Sequence, residues 1–127
     1  MSKEEFDPWH CGKKDYQSLT TPEVSEYLEL SSVKYENLPD VYAKNDIFVF
    51  PSVSETVGFP LVEAMATGIP VIAADSSINR EICGDAALYF RPYDAQGLVK
   101  KINSIRTQPN LYNSLCKKGV DLANQKY

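Results

Sequence analysis

Two glutamates eight positions apart, Glu55 and Glu63, flank a strand-to-helix turn in the run Phe48-Val49-Phe50-Pro51-Ser52-Val53-Ser54-Glu55-Thr56-Val57-Gly58-Phe59-Pro60-Leu61-Val62-Glu63-Ala64-Met65-Ala66. The apolar run ends at Pro51, and Pro60 opens an apolar helical stretch. A helix amino terminus carries partial positive charge and unpaired backbone N–H groups, which makes it a ready site for a phosphate. One carboxylate stands before that terminus and the other lies one turn inside it. Carboxylates repel phosphate, so if an anion binds there, both must face uncharged donors such as sugar hydroxyls. That combination points to a sugar nucleotide. The residues alone leave a simpler alternative open. A glutamate in a first helical turn can merely complement the helix dipole, worth about 0.3–1 kcal/mol, and Glu55 can be a solvated loop residue.

The elements that must position these groups are legible on either side. Leu38-Pro39-Asp40-Val41-Tyr42-Ala43-Lys44 reads as a short helix with Val41 and Tyr42 inward, broken by Asn45-Asp46. Ile47-Phe48-Val49-Phe50 is an unbroken apolar strand of the kind buried on both faces of a parallel sheet. The helix from Pro60 stops at Thr67-Gly68, where glycine suits a left-handed cap. Pro70-Val71-Ile72-Ala73-Ala74 is a second apolar strand, and a short helix around Asn79-Arg80-Glu81-Ile82-Cys83 stops at Gly84. Ala87-Leu88-Tyr89-Phe90 is a third strand. Asp94 can cap a helix running to about Arg106, with Leu98, Ile102 and Ile105 as its apolar stripe. Asn110 can cap another from Leu111 to about Asn124. This alternation implies an α/β fold, a partial Rossmann-like, doubly wound parallel sheet. Residues 1–32 are a poorly patterned amino-terminal segment, in which Thr21-Pro22-Glu23 can start a short helix, and 33–127 form the domain proper.

Bulk properties narrow the chemistry further. The 127 residues carry a net charge of −4, with 43% hydrophobic and 24% charged residues. That gives an ordinary globular core and no electrostatic footprint for nucleic acid. No apolar run reaches the ~20 residues of a membrane span, and the amino terminus lacks a signal-peptide pattern, so a cytoplasmic location is expected. Cys11, Cys83 and Cys116 are widely spaced, and His10 is the single histidine. Reduced thiols and no metal site are therefore expected. Asp75 and Ser76 follow a strand's carboxyl end, where α/β sheets bind ligands, or they cap the next helix. Arg80 reads as a surface cation. Trp9-His10-Cys11 and the tyrosines Tyr35, Tyr42, Tyr89 and Tyr93 read as core or rim packing.

Glu55-x7-Glu63 followed by Ala64-Met65-Ala66-x-Gly68-x-Pro70-Val71-Ile72-Ala73 resembles the family-4 (group 1) glycosyltransferases of the GT-B fold. Leu38-Pro39-x-x-Tyr42-Ala43-x-x-Asp46-x-Phe48-Val49-Phe50-Pro51-Ser52 and Glu81-Ile82-x-Gly84-Asp85-Ala86-Ala87-Leu88-Tyr89-Phe90 fit the same family, in the same order. The resemblance extends from about Leu38 to Asn103 and lies in the carboxyl-terminal, donor-binding half.

The resemblance implies a retaining transferase that moves a sugar from a nucleotide-diphosphate donor to an acceptor in glycan or polysaccharide synthesis, without a metal or other cofactor. Glu63 would take the ribose 2′- and 3′-hydroxyls, since two carboxylate oxygens suit a vicinal diol. Glu55, the implied catalytic residue, would face the donor sugar and its developing positive charge. Gly58 and Phe59 would bring backbone amides to the diphosphate. Most members carry Gly-Phe-Gly after the first glutamate, whereas here Thr56-Val57-Gly58 follows. Thr56 adopts positive φ only at a cost, and its hydroxyl is an alternative contact. The base would be read near Val33–Asn37. The family's upstream Arg and Lys, which neutralise the leaving diphosphate, have no matching segment. The expectation is therefore part of a glycosyltransferase, inactive alone, whose amino-terminal acceptor domain is supplied in cis or in trans. A non-catalytic nucleotide-sugar-binding or partner-docking domain is the alternative.

Overall fold

The computed structural model describes residues 33–53 and 59–127, and Glu36–Tyr127 form one compact unit. Its elements run α1 (Leu38–Lys44), β1 (Phe48–Phe50), α2 (Phe59–Thr67), β2 (Val71–Ala74), α3 (Ser77–Cys83), β3 (Ala87–Phe90), α4 (Ala95–Thr107) and α5 (Pro109–Lys126). The three strands form a parallel sheet in the order β1-β2-β3. Phe48 stands beside Val71, and Val71 beside Ala87, so side chains of one parity share a face across the whole sheet.

Two apolar clusters, one on each face, make the arrangement doubly wound. Phe50, Val71, Ala73 and Ala87 gather with Tyr42 of α1, Leu61, Ala64 and Met65 of α2, Cys83 of α3 and Ala123 of α5. Ile72, Ala74 and Phe90 gather on the other side with Ile105 of α4 and Leu115 of α5, joined by Leu98, Ile102 and Leu111. The long helix α5 thus serves both faces, its amino-terminal half closing one and its carboxyl-terminal half the other. The crossing is tight at Gly119, where a β-carbon would stand 3.4 Å from both Cα and Cβ of Met65.

Local chemistry sets the boundaries. α2 stops at Gly68, which adopts φ +84° and whose N–H returns to the Met65 carbonyl at 3.1 Å. The Asp94 carboxylate accepts from the Gly97 N–H at 3.0 Å and starts α4 as expected. α5, in contrast, begins at Pro109 rather than after an Asn110 cap. Proline's preset φ and missing N–H suit the first helical position, so the chain enters the helix earlier without a side-chain cap. β1 differs as well. It was expected to be covered on both faces, but at the edge of the described sheet Phe48 and Val49 are only half-buried, whereas β2 is wholly buried. Among the tyrosines, Tyr42 is buried and Tyr89 half-buried, but Tyr35 and Tyr93 are 77% and 97% exposed and do not pack. Tyr93 has φ 66° in the turn between β3 and α4, at the outside of a chain reversal.

Candidate functional site

In open parallel α/β sheets, ligands bind beyond the carboxyl ends of the strands. Here those ends carry Pro51–Val53 after β1, Asp75-Ser76 after β2 and Arg91–Asp94 after β3. Four of the expected site residues, Glu55, Thr56, Val57 and Gly58, lie outside the described residues, as do Trp9, His10, Cys11 and the helix start at Thr21. Phe59 and Glu63 are described.

Phe59 is the first residue of α2 and 66% exposed, so its ring covers no core surface. α2 is described from Phe59, and Glu63 lies one turn beyond that residue, with no acidic side chain in the first described turn. The dipole interaction falls off within the first turn.

Glu63 is half-buried, and its Oε2 accepts a hydrogen bond from the Tyr42 hydroxyl at 3.1 Å. Tyr42 is held in turn by the core. It is 8% exposed, and its ring meets Phe48 edge-on at 5.5 Å between centroids. Sequence reading placed Tyr42 only as a packing residue and missed this bond, which spans 21 positions. The Leu38-Pro39-x-x-Tyr42 motif contained the signal, since a buried tyrosine must find a partner for its hydroxyl.

Asn79 was also missed as a contributor. It is 1% exposed, and its side-chain amide donates to the Ser52 carbonyl at 3.0 Å and the Ala74 carbonyl at 2.9 Å. One side chain thereby ties the ends of β1 and β2, three residues before Glu55 in the sequence. Ser76 caps α3, its hydroxyl accepting from the Asn79 N–H at 3.1 Å, which is the capping role weighed for it from sequence.

Arg80 makes a two-point ion pair with Asp75, at 2.5 and 2.9 Å, and its guanidinium lies 4.4 Å above the Tyr89 ring. The hydrogen bonds from Arg80 hold the Asp75 carboxyl below the usual carboxylate range, and the same pair holds the Arg80 proton more firmly. Both side chains are largely exposed. Arg80 is the surface cation expected, engaged with a neighbour of its own. Val33–Asn37, the expected base-reading stretch, is exposed along its length.

The order of elements and the ordered motifs agree with the comparison to known proteins. The family model described as "Glycosyl transferases group 1" matches residues 27–121. This chain belongs to the group 1 glycosyl transferases. Among curated relatives, the O-antigen chain mannosyltransferase RfbU of Salmonella typhimurium is 32% identical over 106 residues, covering 79% of this chain and 30% of that protein. Among solved structures, the sucrose-phosphate synthase of Thermosynechococcus elongatus superposes with a TM-score of 0.77 at 27% identity, covering 93% of this chain and 31% of that one. Alr3699/HepE of Anabaena, solved in complex with UDP, gives a TM-score of 0.80 at 22% identity over 91% of this chain and 32% of that chain, a likeness of fold. This group 1 glycosyl transferase chain thus spans under a third of each. Its α/β parallel sheet is the one implied for a carboxyl-terminal GT-B domain. No helix among the described residues is long and apolar enough to cross a membrane.

Proposed function

We propose that this chain is the donor half of a retaining group 1 glycosyltransferase and holds a nucleotide-diphosphate sugar for transfer to an acceptor. The observation that carries this reading is the Glu63 carboxylate. It sits past the first turn of α2, half-buried, with one oxygen engaged by Tyr42. A carboxylate has more acceptor sites than one hydroxyl fills, so capacity remains for a ribose diol. The fold likeness to a protein solved with UDP supports the same ligand class.

On this reading Glu63 takes the ribose hydroxyls, while the amides of Gly58 and Phe59 face the diphosphate with Thr56 and Val57 shaping the loop. Glu55 stabilises the positive charge that develops on the sugar as the bond to the diphosphate breaks. No metal or other cofactor is called for. The acceptor is held by a separate domain, in cis or in trans, and this chain alone does not turn over. The transfer takes place in the cytoplasm and feeds glycan or polysaccharide synthesis.

Calorimetric titration with UDP, GDP and ADP tests this reading, with Glu63→Ala as the control. Saturable binding of one nucleotide, weakened at least about tenfold in the variant, is expected from the loss of a charged hydrogen-bonding group. Absence of binding to all three nucleotides defeats the reading in favour of a docking domain. Sugar transfer by the purified chain would defeat the claim that it needs an acceptor half.

A further inference from the structure

Two observations outside the assigned ligand contacts converge on Tyr42. Its ring is buried and set edge-on against Phe48 of β1, and its hydroxyl reaches Oε2 of Glu63 on α2. A glutamate side chain on a helix surface samples many rotamers, and freezing it on binding lowers affinity. Here a rigid phenol rooted in the core holds one carboxylate oxygen before any ligand arrives.

Resting on the donor reading above, we propose that Tyr42 is a positioning residue that presets the Glu63 carboxylate for the ribose diol, and so sets the preference for ribose over a sugar lacking those hydroxyls. The hydroxyl donates its proton to Oε2 and leaves Oε1 unengaged by Tyr42 for a ribose hydroxyl. Tyr42 acts on the diol through the Glu63 carboxylate that it holds.

The test is Tyr42→Phe, which keeps the ring on Phe48 and removes only the hydroxyl. The full chain is titrated with UDP, GDP and ADP and with the 2′,3′-dideoxy form of whichever binds. Loss of one hydrogen bond to a charged group is expected to weaken ribonucleotide binding by about threefold to tenfold. Binding of the dideoxy nucleotide, which offers Glu63 no hydroxyl, should change by less than about twofold on the same scale.

Equal weakening of the ribo and dideoxy forms would assign Tyr42 a general structural part and overturn the proposal. So would unchanged binding of both, or failure of the Tyr42→Phe chain to fold. If the unmodified chain binds no nucleotide, the donor reading falls and this proposal falls with it. If it binds but shows no selective loss, only the role of Tyr42 falls.

Discussion

The side-chain amide of Asn79 donates to the carbonyl of Ser52 across 27 positions of sequence, at 3.0 Å. Its other hydrogen goes to Ala74 at 2.9 Å, so the carboxyl ends of β1 and β2 are joined through one buried side chain. Parallel strands diverge past their last ladder bonds, and the carbonyls there need partners. Asn79 supplies two donors from a single planar group and fixes the chain at Ser52 and Ala74.

Replacing Asn79 by leucine keeps the branching at Cγ and the number of side-chain heavy atoms and removes both donors. Two carbonyls at the strand ends then lose a partner, which should cost about 2–4 kcal/mol. Urea denaturation of Asn79→Leu reads this directly. A loss under about 0.5 kcal/mol, the range of an ordinary surface substitution, would show that water satisfies these carbonyls as well as the amide does.

What the sequence disclosed and what it hid divide along a physical line. α2, its glycine stop, the Asp94 cap and the three apolar strands rest on contacts within a few residues, and local patterning exposes those. The inward face of α4 was likewise plain from Leu98, Ile102 and Ile105. The bond from Tyr42 to Glu63 and that from Asn79 to Ser52 join residues 21 and 27 positions apart, and no local rule pairs them. The start of α5 was misread because Asn110 is a good capping residue and Pro109 a good first residue, and the chain can use only one register. The family resemblance named Glu63 but did not disclose what holds it.

Two glycines should respond to alanine in opposite directions. Gly68 has room for a methyl, with Val120 Cγ2 3.5 Å from a would-be β-carbon, but its φ of +84° is strained for any L side chain. Gly68→Ala should therefore cost about 1–2 kcal/mol. Gly119 lies inside α5, and its β-carbon would meet Met65 at ordinary contact distance, 3.4 Å. There the helix preference of alanine wins, and Gly119→Ala should stabilise by roughly 0.5–1 kcal/mol. Gly119→Val, which has no such room, should destabilise by about 1–3 kcal/mol. Thermal and urea unfolding of the three variants check the order, and a destabilising Gly119→Ala would show that α2 and α5 cannot yield even a few tenths of an ångström.

The ion pair of Asp75 with Arg80 predicts a small acid-side effect of defined sign. Asp75 is held below its ordinary value by the guanidinium, so on acidification the unfolded chain takes up this proton first. The pair therefore contributes above the ordinary carboxylate range, about pH 4, and its contribution is lost as pH falls through the lowered value of the folded chain. Asp75→Asn should flatten that part of the stability profile at low salt. In about 1 M salt the two profiles should coincide, because an exposed pair is screened. A difference that persists at high salt would mean that Asp75 acts through its backbone turn instead.

Cys83 predicts the alkaline side. Its thiol is fully buried beneath α2 and α5, and burial pushes its pKa from 9.0 up to about 12. The unfolded chain loses this proton near pH 9 while the folded chain keeps it, so stability is whole below that point and falls as pH rises through the interval to about 12. The slope is about 1.4 kcal/mol per pH unit for one such group. Tyr89, whose phenol is also pushed upward by burial, adds to the fall above pH 10. Cys83→Ala should therefore lower stability at pH 7 by roughly 1 kcal/mol through lost packing, yet shed less of it between pH 9 and 11 than the parent chain does. At pH 8, iodoacetamide should label half-buried Cys116 well before Cys83, whose labelling should track global unfolding. Rapid labelling of Cys83 in the folded chain would mean that the α2–α5 seam opens locally.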